Sequence, residues 1–332
     1  MAQRNGAAVE VDNLVKRFGS FAAVDGVSFR VNPGELFGFL GPNGAGKTTT
    51  ISILCTLLHP TEGSARVAGH DVASAPHQVR ANIGLVFQEL TLDDYLTGAQ
   101  NLRFHGVMYG LPNHEINARM TELLDMVGLT GWADQQTRLY SGGMKRRLEI
   151  ARGLLHMPRV LFLDEPTIGL DPQTRVHIWD HVDALRTRET TTMFLTTHYM
   201  DEAERCDRIA IVDQGKIVAV DTPNRLKASI GTDTVTIETA DDARARTEIA
   251  QHFGVEGEIR EGAGLRLRVP NGEEFVPRLF EHLTVGVRNV NVRRPSLDDV
   301  FIEYTGRDMR DAEAGLAERF KNNAMVRGFR RG

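Results

Sequence analysis

Gly41-Pro-Asn-Gly-Ala-Gly-Lys-Thr-Thr49 has the residue types and spacing to hold a phosphate chain, because it fits the pattern G-x-x-x-x-G-K-S/T. Gly41, Gly44 and Gly46 let a backbone wrap closely around phosphate oxygens where a Cβ would clash. Pro42, Asn43 and Ala45 complete the loop, whose successive N–H groups would point inward at the positive end of a following helix. Lys47 has the reach and charge for the β- and γ-phosphates of a nucleoside triphosphate, and the Thr48 hydroxyl is placed to ligate Mg²⁺. Thr49 begins a predicted helix through Leu58, and an apolar strand, Leu36–Leu40, precedes the loop. Strand, glycine-rich loop and helix in that order are the context this chemistry needs.

A second segment, Val160-Leu-Phe-Leu-Asp-Glu165, supplies acids at the end of an apolar run. Asp164 would hold Mg²⁺ opposite Thr48, through water. The Glu165 carboxylate would orient, or accept a proton from, a water that attacks the γ-phosphate.

The elements that must position these groups are short apolar runs ending in glycine-rich turns and followed by helical patterns. Leu36–Leu40, Val160–Leu163, Thr192–Thr196 and Arg208–Val212 are predicted strands, and the alternation predicts an α/β core with a mainly parallel sheet over residues 1–228. Residues 89–155 read as a helical insert in that core. Asn113 is a candidate cap for a helix that places Ile116, Met120, Leu123, Leu124 and Val127 on one face and stops at Gly128. Residues 229–306 alternate strand and helix patterns and predict a small α+β domain. Its last helix is capped by Ser296, with Asp299 where a capping box places an acid. Residues 307–332 form a tail that is basic and acid-free from Arg319 on, read as a flexible, solvated end or a surface for anionic headgroups.

With these motifs in place, Tyr140-Ser-Gly-Gly-Met-Lys-Arg-Arg147 resembles the signature loop of ABC ATPases, usually written Leu-Ser-Gly-Gly-Gln. Tyr140 replaces the leucine and Met144 the glutamine, while Ser141, Gly142 and Gly143 remain. The resemblance implies that these three bind the γ-phosphate of an ATP held by another subunit, from a helix N-terminus. Other positions match in order. Gln88 resembles the Q-loop glutamine that contacts Mg²⁺ and links core to insert, and Gly169-Leu-Asp171 resembles the D-loop that crosses the dimer interface. His198 resembles the switch histidine that contacts the γ-phosphate, and Phe18 the aromatic that stacks on adenine. The resemblance spans about residues 8–228. Beyond it, Arg294-Pro-Ser-Leu-Asp-Asp-Val-Phe301 is similar to the C-terminal domain of daunorubicin-resistance-type ATPases, drug-export subunits that work with a separately encoded permease.

The implied fold is an ABC-type P-loop NTPase core with a helical subdomain and a small C-terminal α+β domain. The implied activity is hydrolysis of ATP with Mg²⁺ at the cytoplasmic face of the cell membrane, as a peripheral subunit. The implied partners are a transmembrane permease and a second ATPase subunit, expected as a homodimer because each catalytic position is filled. The cargo would be a hydrophobic drug-like compound; lipid or polysaccharide export, or a non-transport ABC ATPase, are the alternatives.

Composition agrees with this and excludes other classes. The 332 residues carry 41% hydrophobic and 25% charged side chains, the balance of a soluble globular chain. A formal net charge of −5 gives no reason to expect nucleic-acid binding. No apolar stretch approaches the ~18 residues a membrane span needs, and Met1–Asn13 lacks the pattern of a secretory signal. Two cysteines, Cys55 and Cys206, fit a reducing compartment. DNA-repair relatives split the ATP halves with a long coiled coil, whereas Lys47 and Asp164 lie about 120 residues apart with no long heptad run between them. An Asn-Lys-x-Asp guanine-reading motif is also missing.

Overall fold

Apolar runs without a polar face have to be covered on both sides, and a parallel sheet flanked by helices does this. The computed structural model describes residues 6–189, 191–231, 233–260, 264–306, 308 and 309. Its first elements are β1 (Val9–Phe18), β2 (Phe21–Val31), β3 (Leu36–Leu40), α1 (Lys47–Leu54), β4 (Glu62–Val67), β5 (His70–Asp71), α2 (Pro76–Ala81) and β6 (Ile83–Val86). Three main helices come next, α3 (Gly98–Met108), α4 (Asn113–Met126) and α5 (Gly142–Leu154). The core then continues through β7 (Val160–Asp164), α6 (Pro172–Glu189), β8 (Thr192–Thr197), α7 (Met200–Ala203), β9 (Arg208–Asp213) and β10 (Lys216–Asp221).

The central sheet has the order β10-β9-β3-β8-β7-β6. Its strands pair in parallel except for β10, which returns as an antiparallel partner of β9. The four predicted strands all lie in it. Every residue of β3, β7 and β8 is buried, as their unbroken apolar or threonine-bearing runs require. Phe194 of β8 anchors the layer below, with ring centroids 5.5 Å from Phe39 and Phe162 and 5.8 Å from Phe29. Strand register sets which side chains can act together. Leu40 lies beside Thr197, and Asp164 beside Thr196. The C-terminal ends of β3, β7 and β8 therefore stand together, and the segments after them emerge at one edge, the usual site edge of an open α/β sheet.

A second sheet, antiparallel in the order β2-β1-β4-β5, is an addition to the predicted parallel core. Its strands alternate charge with apolar residues, as in Val9-Glu10-Val11-Asp12, so they bury one face only and form no continuous apolar run. Asn113 is the first helical residue of α4 and not its cap. Pro112 takes the cap position with extended backbone, and no side chain there makes a capping bond.

A second compact unit spans Thr222–Asp308. It begins at Thr222 and not at 229, because α8 (Pro223–Ser229) packs on the last helix, α11 (Leu297–Thr305). Between them come β11 (Asp233–Thr239), α9 (Asp242–Phe253), β12 (Gly257–Arg260), β13 (Gly264–Val269), α10 (Gly272–His282) and β14 (Val287–Arg293). The sheet order β12-β13-β11-β14, antiparallel throughout, with this βαββαβ succession is the ferredoxin-like arrangement. Val235, Ile237, Ile249, Leu265, Leu267 and Leu279 form its core. Ser296 and Asp299 make the expected capping box on α11. The basic stretch Arg319–Gly332 lies outside the described residues.

One close approach fixes the helical segment to the core sheet. A Cβ on Gly84 of β6 would meet the Gly153 carbonyl of α5 at 2.2 Å. Gly84→Ala should therefore force α5 off the sheet and cost about 1–3 kcal/mol. Gly131→Ala, at a position where a Cβ meets nothing within 4 Å, should stay within about 0.5 kcal/mol of the parent. Urea unfolding of both variants checks this, and equal stability would contradict the packing account.

Candidate functional site

The loop after β3 takes backbone conformations that its glycines supply. Gly44 and Gly46 have φ of 82° and 100°, a region that disfavours any side chain. A Cβ on Gly46 would lie 2.3 Å from the Ala23 carbonyl, and one on Gly41 2.3 Å from that of Val212. The loop is thus wedged between β2 and β9, and α1 starts at its end. No side chain caps that helix, so its first N–H groups are oriented for an anion.

Charge is concentrated beside the loop. Lys47 is buried, and its Nζ donates to the carbonyls of Gly41 (2.7 Å) and Pro42 (3.1 Å). The same Nζ lies 3.0 Å from Oε1 of Glu165, which is also buried. Asp164 accepts a hydrogen bond from Thr196, and the Thr48 hydroxyl lies 3.4 Å from the same carboxylate oxygen. Burial raises the Asp164 pKa, and the Glu165 charge adds to that. Burial acts the same way on Glu165, but His198 and the Lys47 ammonium outweigh it and hold that carboxyl below its ordinary value. His198 Nδ1 is 3.4 Å from Glu165 Oε2, within ion-pair range. Neither atom makes an aligned hydrogen bond among the described residues. Glu165 itself has φ 46°, a left-handed backbone that is strained for a side chain of this kind.

Lys47, Thr48 and Glu165 line one cleft of about 340 Å³ with Asn43, Thr49 and Gln88 among others, whereas Asp164 and His198 are not part of that lining. Phe21 is part of the lining, whereas Phe18 stands 47% exposed at the end of β1 with the Lys16 ammonium 5.3 Å from its ring centroid. Ser141, Gly142 and Gly143 are not part of that lining. Ser141 caps α5, accepting from the Met144 N–H at 3.3 Å. Ser141 and Gly142 are exposed, while Gly143 is buried where a Cβ would meet Thr174 at 2.4 Å. Asp171 caps the start of α6 by accepting from Thr174 N (2.9 Å), and Gly169 before it has φ 74°.

Sequence reasoning missed Glu202. This buried carboxylate on α7 accepts from Thr167 Oγ1, from Trp179 Nε1 at 3.2 Å and from Thr197 Oγ1 at 2.6 Å. It ties the segment after Glu165 to the residue before His198. Threonines and a tryptophan from three separate elements meet there only in the fold, so no local pattern marks the glutamate.

Comparison with known proteins agrees with this architecture. Residues 24–168 match the ABC transporter family model, and residues 222–305 match the model for the C-terminal domain of DrrA1-3-like ATP-binding proteins. The daunorubicin resistance ATP-binding protein DrrA2 of Streptomyces coeruleorubidus is 42% identical, over 93% of this chain and 98% of its own length. The linearmycin resistance ATP-binding protein LnrL of Bacillus subtilis is 37% identical, over 91% of this chain and all (100%) of its own. The Nod factor export ATP-binding protein I of Burkholderia thailandensis is 41% identical, over 92% and 99%. Among solved structures, the cassette MJ0796, a dimer in a post-hydrolysis state bound to ADP and Pi, superposes with a TM-score of 0.58 at 27% identity. It covers 64% of this chain and 98% of that one. Two family matches and 42% identity over nearly the whole chain, in a structure with a wedged glycine-rich loop, a buried lysine–carboxylate cluster and a serine-capped helix, place this chain in the family of ABC-transporter ATP-binding proteins of the daunorubicin-resistance type.

Proposed function

We propose that two copies of this ATPase enclose two ATP molecules, each between the phosphate loop of one copy and Ser141–Gly143 of the other. Their hydrolysis would energise export of a hydrophobic drug-like compound through a separately encoded permease, with the chain peripheral at the cytoplasmic face of the cell membrane. One observation carries the dimer: the cleft holds Lys47, Thr48 and Glu165, while the exposed Ser141 and the start of α5 are not in it. Each chain thus carries two halves of a site, and a two-fold pair completes both.

Gly41–Thr49 would bind the phosphates with backbone N–H groups and Lys47. Asp164 and Thr48 fit a Mg²⁺ ion, because a buried carboxylate with a raised pKa and a hydroxyl 3.4 Å away are hard oxygen donors that a divalent cation stabilises; Gln88 would join them from the cleft wall. When bound, that ion would neutralise charge on the β- and γ-oxygens. A γ-phosphate competes with Glu165 for the Lys47 ammonium. Losing that neighbour raises the basicity of Glu165, which then orients the attacking water and accepts its proton. His198, already against Glu165, would contact the γ-phosphate, and Phe18 or Phe21 would flank the base. The closed pair is favoured only while the γ-phosphate bridges both chains, so hydrolysis releases it.

An exposed apolar groove on this chain supports a contact with the permease. A groove of about 410 Å³ runs where β6 and α3 meet, with Phe104 and Met108 62% and 70% exposed beside Leu57, Phe87 and Tyr109. Exposed apolar area of this kind marks a protein contact. Among the described residues no helix is long and apolar enough to cross a membrane, so the pathway belongs to that partner. The drug cargo rests on the daunorubicin- and linearmycin-resistance relatives. The relative named for Nod factor export is as similar, which supports a cargo other than a drug as the second reading.

Glu165→Gln should bind ATP, lose turnover by about a hundredfold or more, and accumulate as an ATP-dependent dimer in analytical ultracentrifugation. Normal turnover would remove the role of Glu165. Ser141→Ala should slow hydrolysis about tenfold or more while monomeric ATP binding, followed with a fluorescent analogue, changes little. If binding falls as far as turnover, the serine acts within its own chain and the two-copy site is wrong.

A further inference from the structure

Glu202 is a buried acid that the proposed reaction does not use. It is 1% exposed, and among the described residues no cation makes an ion pair with it. Neutral donors from separate elements satisfy it instead. Thr167 Oγ1 and Trp179 Nε1 donate to its Oε1, the latter at 3.2 Å, and Thr197 Oγ1 donates to its Oε2 at 2.6 Å. Burying a carboxylate among neutral groups costs stability that an apolar side chain of similar size would not. Packing alone therefore gives no reason for an acid here, whereas its partners do. Thr167 stands two residues after Glu165, and Thr197 immediately before His198. The Thr197 hydroxyl also accepts from the Tyr199 N–H at 2.9 Å, so it ties the residues on both sides of His198 to the same carboxylate. The Thr197 carbonyl accepts from the Gly41 N–H at 3.2 Å, at the first residue of the glycine-rich loop.

We infer that Glu202 is a positioning residue that sets His198 against Glu165. One of its oxygens holds the segment after Glu165, and the other holds the segment that carries His198. The pair needs such a clamp. His198 Nδ1 and Glu165 Oε2 lie 3.4 Å apart, and no aligned hydrogen bond between them fixes that distance. Their relation is set by the backbone on either side, and Glu202 joins those two stretches of backbone. The inference rests on the roles proposed above for Glu165 and His198.

Four variants separate positioning from bulk stability. In Glu202→Gln the amide NH2 cannot face the Trp179 N–H, so it faces Thr197. The Thr197 hydroxyl already accepts from Tyr199 and is then left without an acceptor for its own proton. Thr197→Val keeps Glu202 and the side-chain shape but removes the hydroxyl, and Thr197→Ser restores it. Trp179→Phe removes a bond to the same carboxylate while leaving both ends of the clamp. Steady-state Mg-ATP hydrolysis and thermal melts of the full-length variants are the test. Glu202→Gln and Thr197→Val should each lower kcat about tenfold or more at little-changed KM. Thr197→Ser should stay close to the parent. Trp179→Phe should keep the parental kcat even where its Tm falls. Parental kcat in Glu202→Gln or Thr197→Val overturns the inference, as does a Thr197→Ser as slow as Thr197→Val. A Trp179→Phe as slow as Glu202→Gln also overturns it, since the effect would then be one of stability. Failure of the underlying reading shows separately, as normal turnover in Glu165→Gln, whatever the Glu202 variants do.

Discussion

A lysine ammonium and a glutamate carboxylate, both withdrawn from water, sit 3.0 Å apart at the sheet edge with a second buried carboxylate, Asp164, beside them. Desolvating such ions costs several kcal/mol each, and that cost is offset only where partners are close and lone pairs are met. Much of the surrounding structure meets that demand. The parallel register sets Asp164 beside Thr196, whose hydroxyl donates to it. The glycine loop brings two carbonyls to Lys47. Glu202 holds the residue before His198 and the segment after Glu165 in one relation. In the proposed function, a phosphate would compete with Glu165 for the Lys47 ammonium and release the glutamate for water.

The same economy of buried charge recurs in the helical segment. Glu149 is stabilised by two arginines and a threonine, and each of those also holds the loop that bears Gln88 or belongs to it. Charge placed in the interior is thus satisfied by groups that also tie α5 to the segment after β6. The Gly84–Gly153 approach continues that rigid docking down into the sheet. An ATPase that converts a γ-phosphate contact into motion needs such pieces, since small shifts are passed on only by elements that do not deform.

The legible parts were those whose chemistry is local. Gly41–Thr49 and Val160–Glu165 announce their geometry by residue type, and the unbroken apolar strands between them fall into the predicted parallel sheet. The Ser296–Asp299 box on α11 was readable for the same reason. Features that depend on distant partners were not. The antiparallel β1, β2 and β4 have only one apolar face and so lack a continuous run. Asn113 has the right type for a cap, but Pro112, with its fixed φ, takes the position. Glu149 and Glu202 are acids within helices, a common place for solvated charge, and only tertiary structure shows that both are buried and fully engaged. Helix α8 reads as the end of the core, yet its packing partner, α11, lies far along the chain.

The claim on which the account turns is that one chain holds half of each ATP site. Steady-state Mg-ATP hydrolysis by the purified chain, measured across a wide range of protein concentration, tests it most directly. The account predicts a rate per chain that climbs with concentration as pairs form and then levels off. A rate per chain that is constant down to the lowest concentration would mean that a single copy is a complete ATPase, and would contradict it.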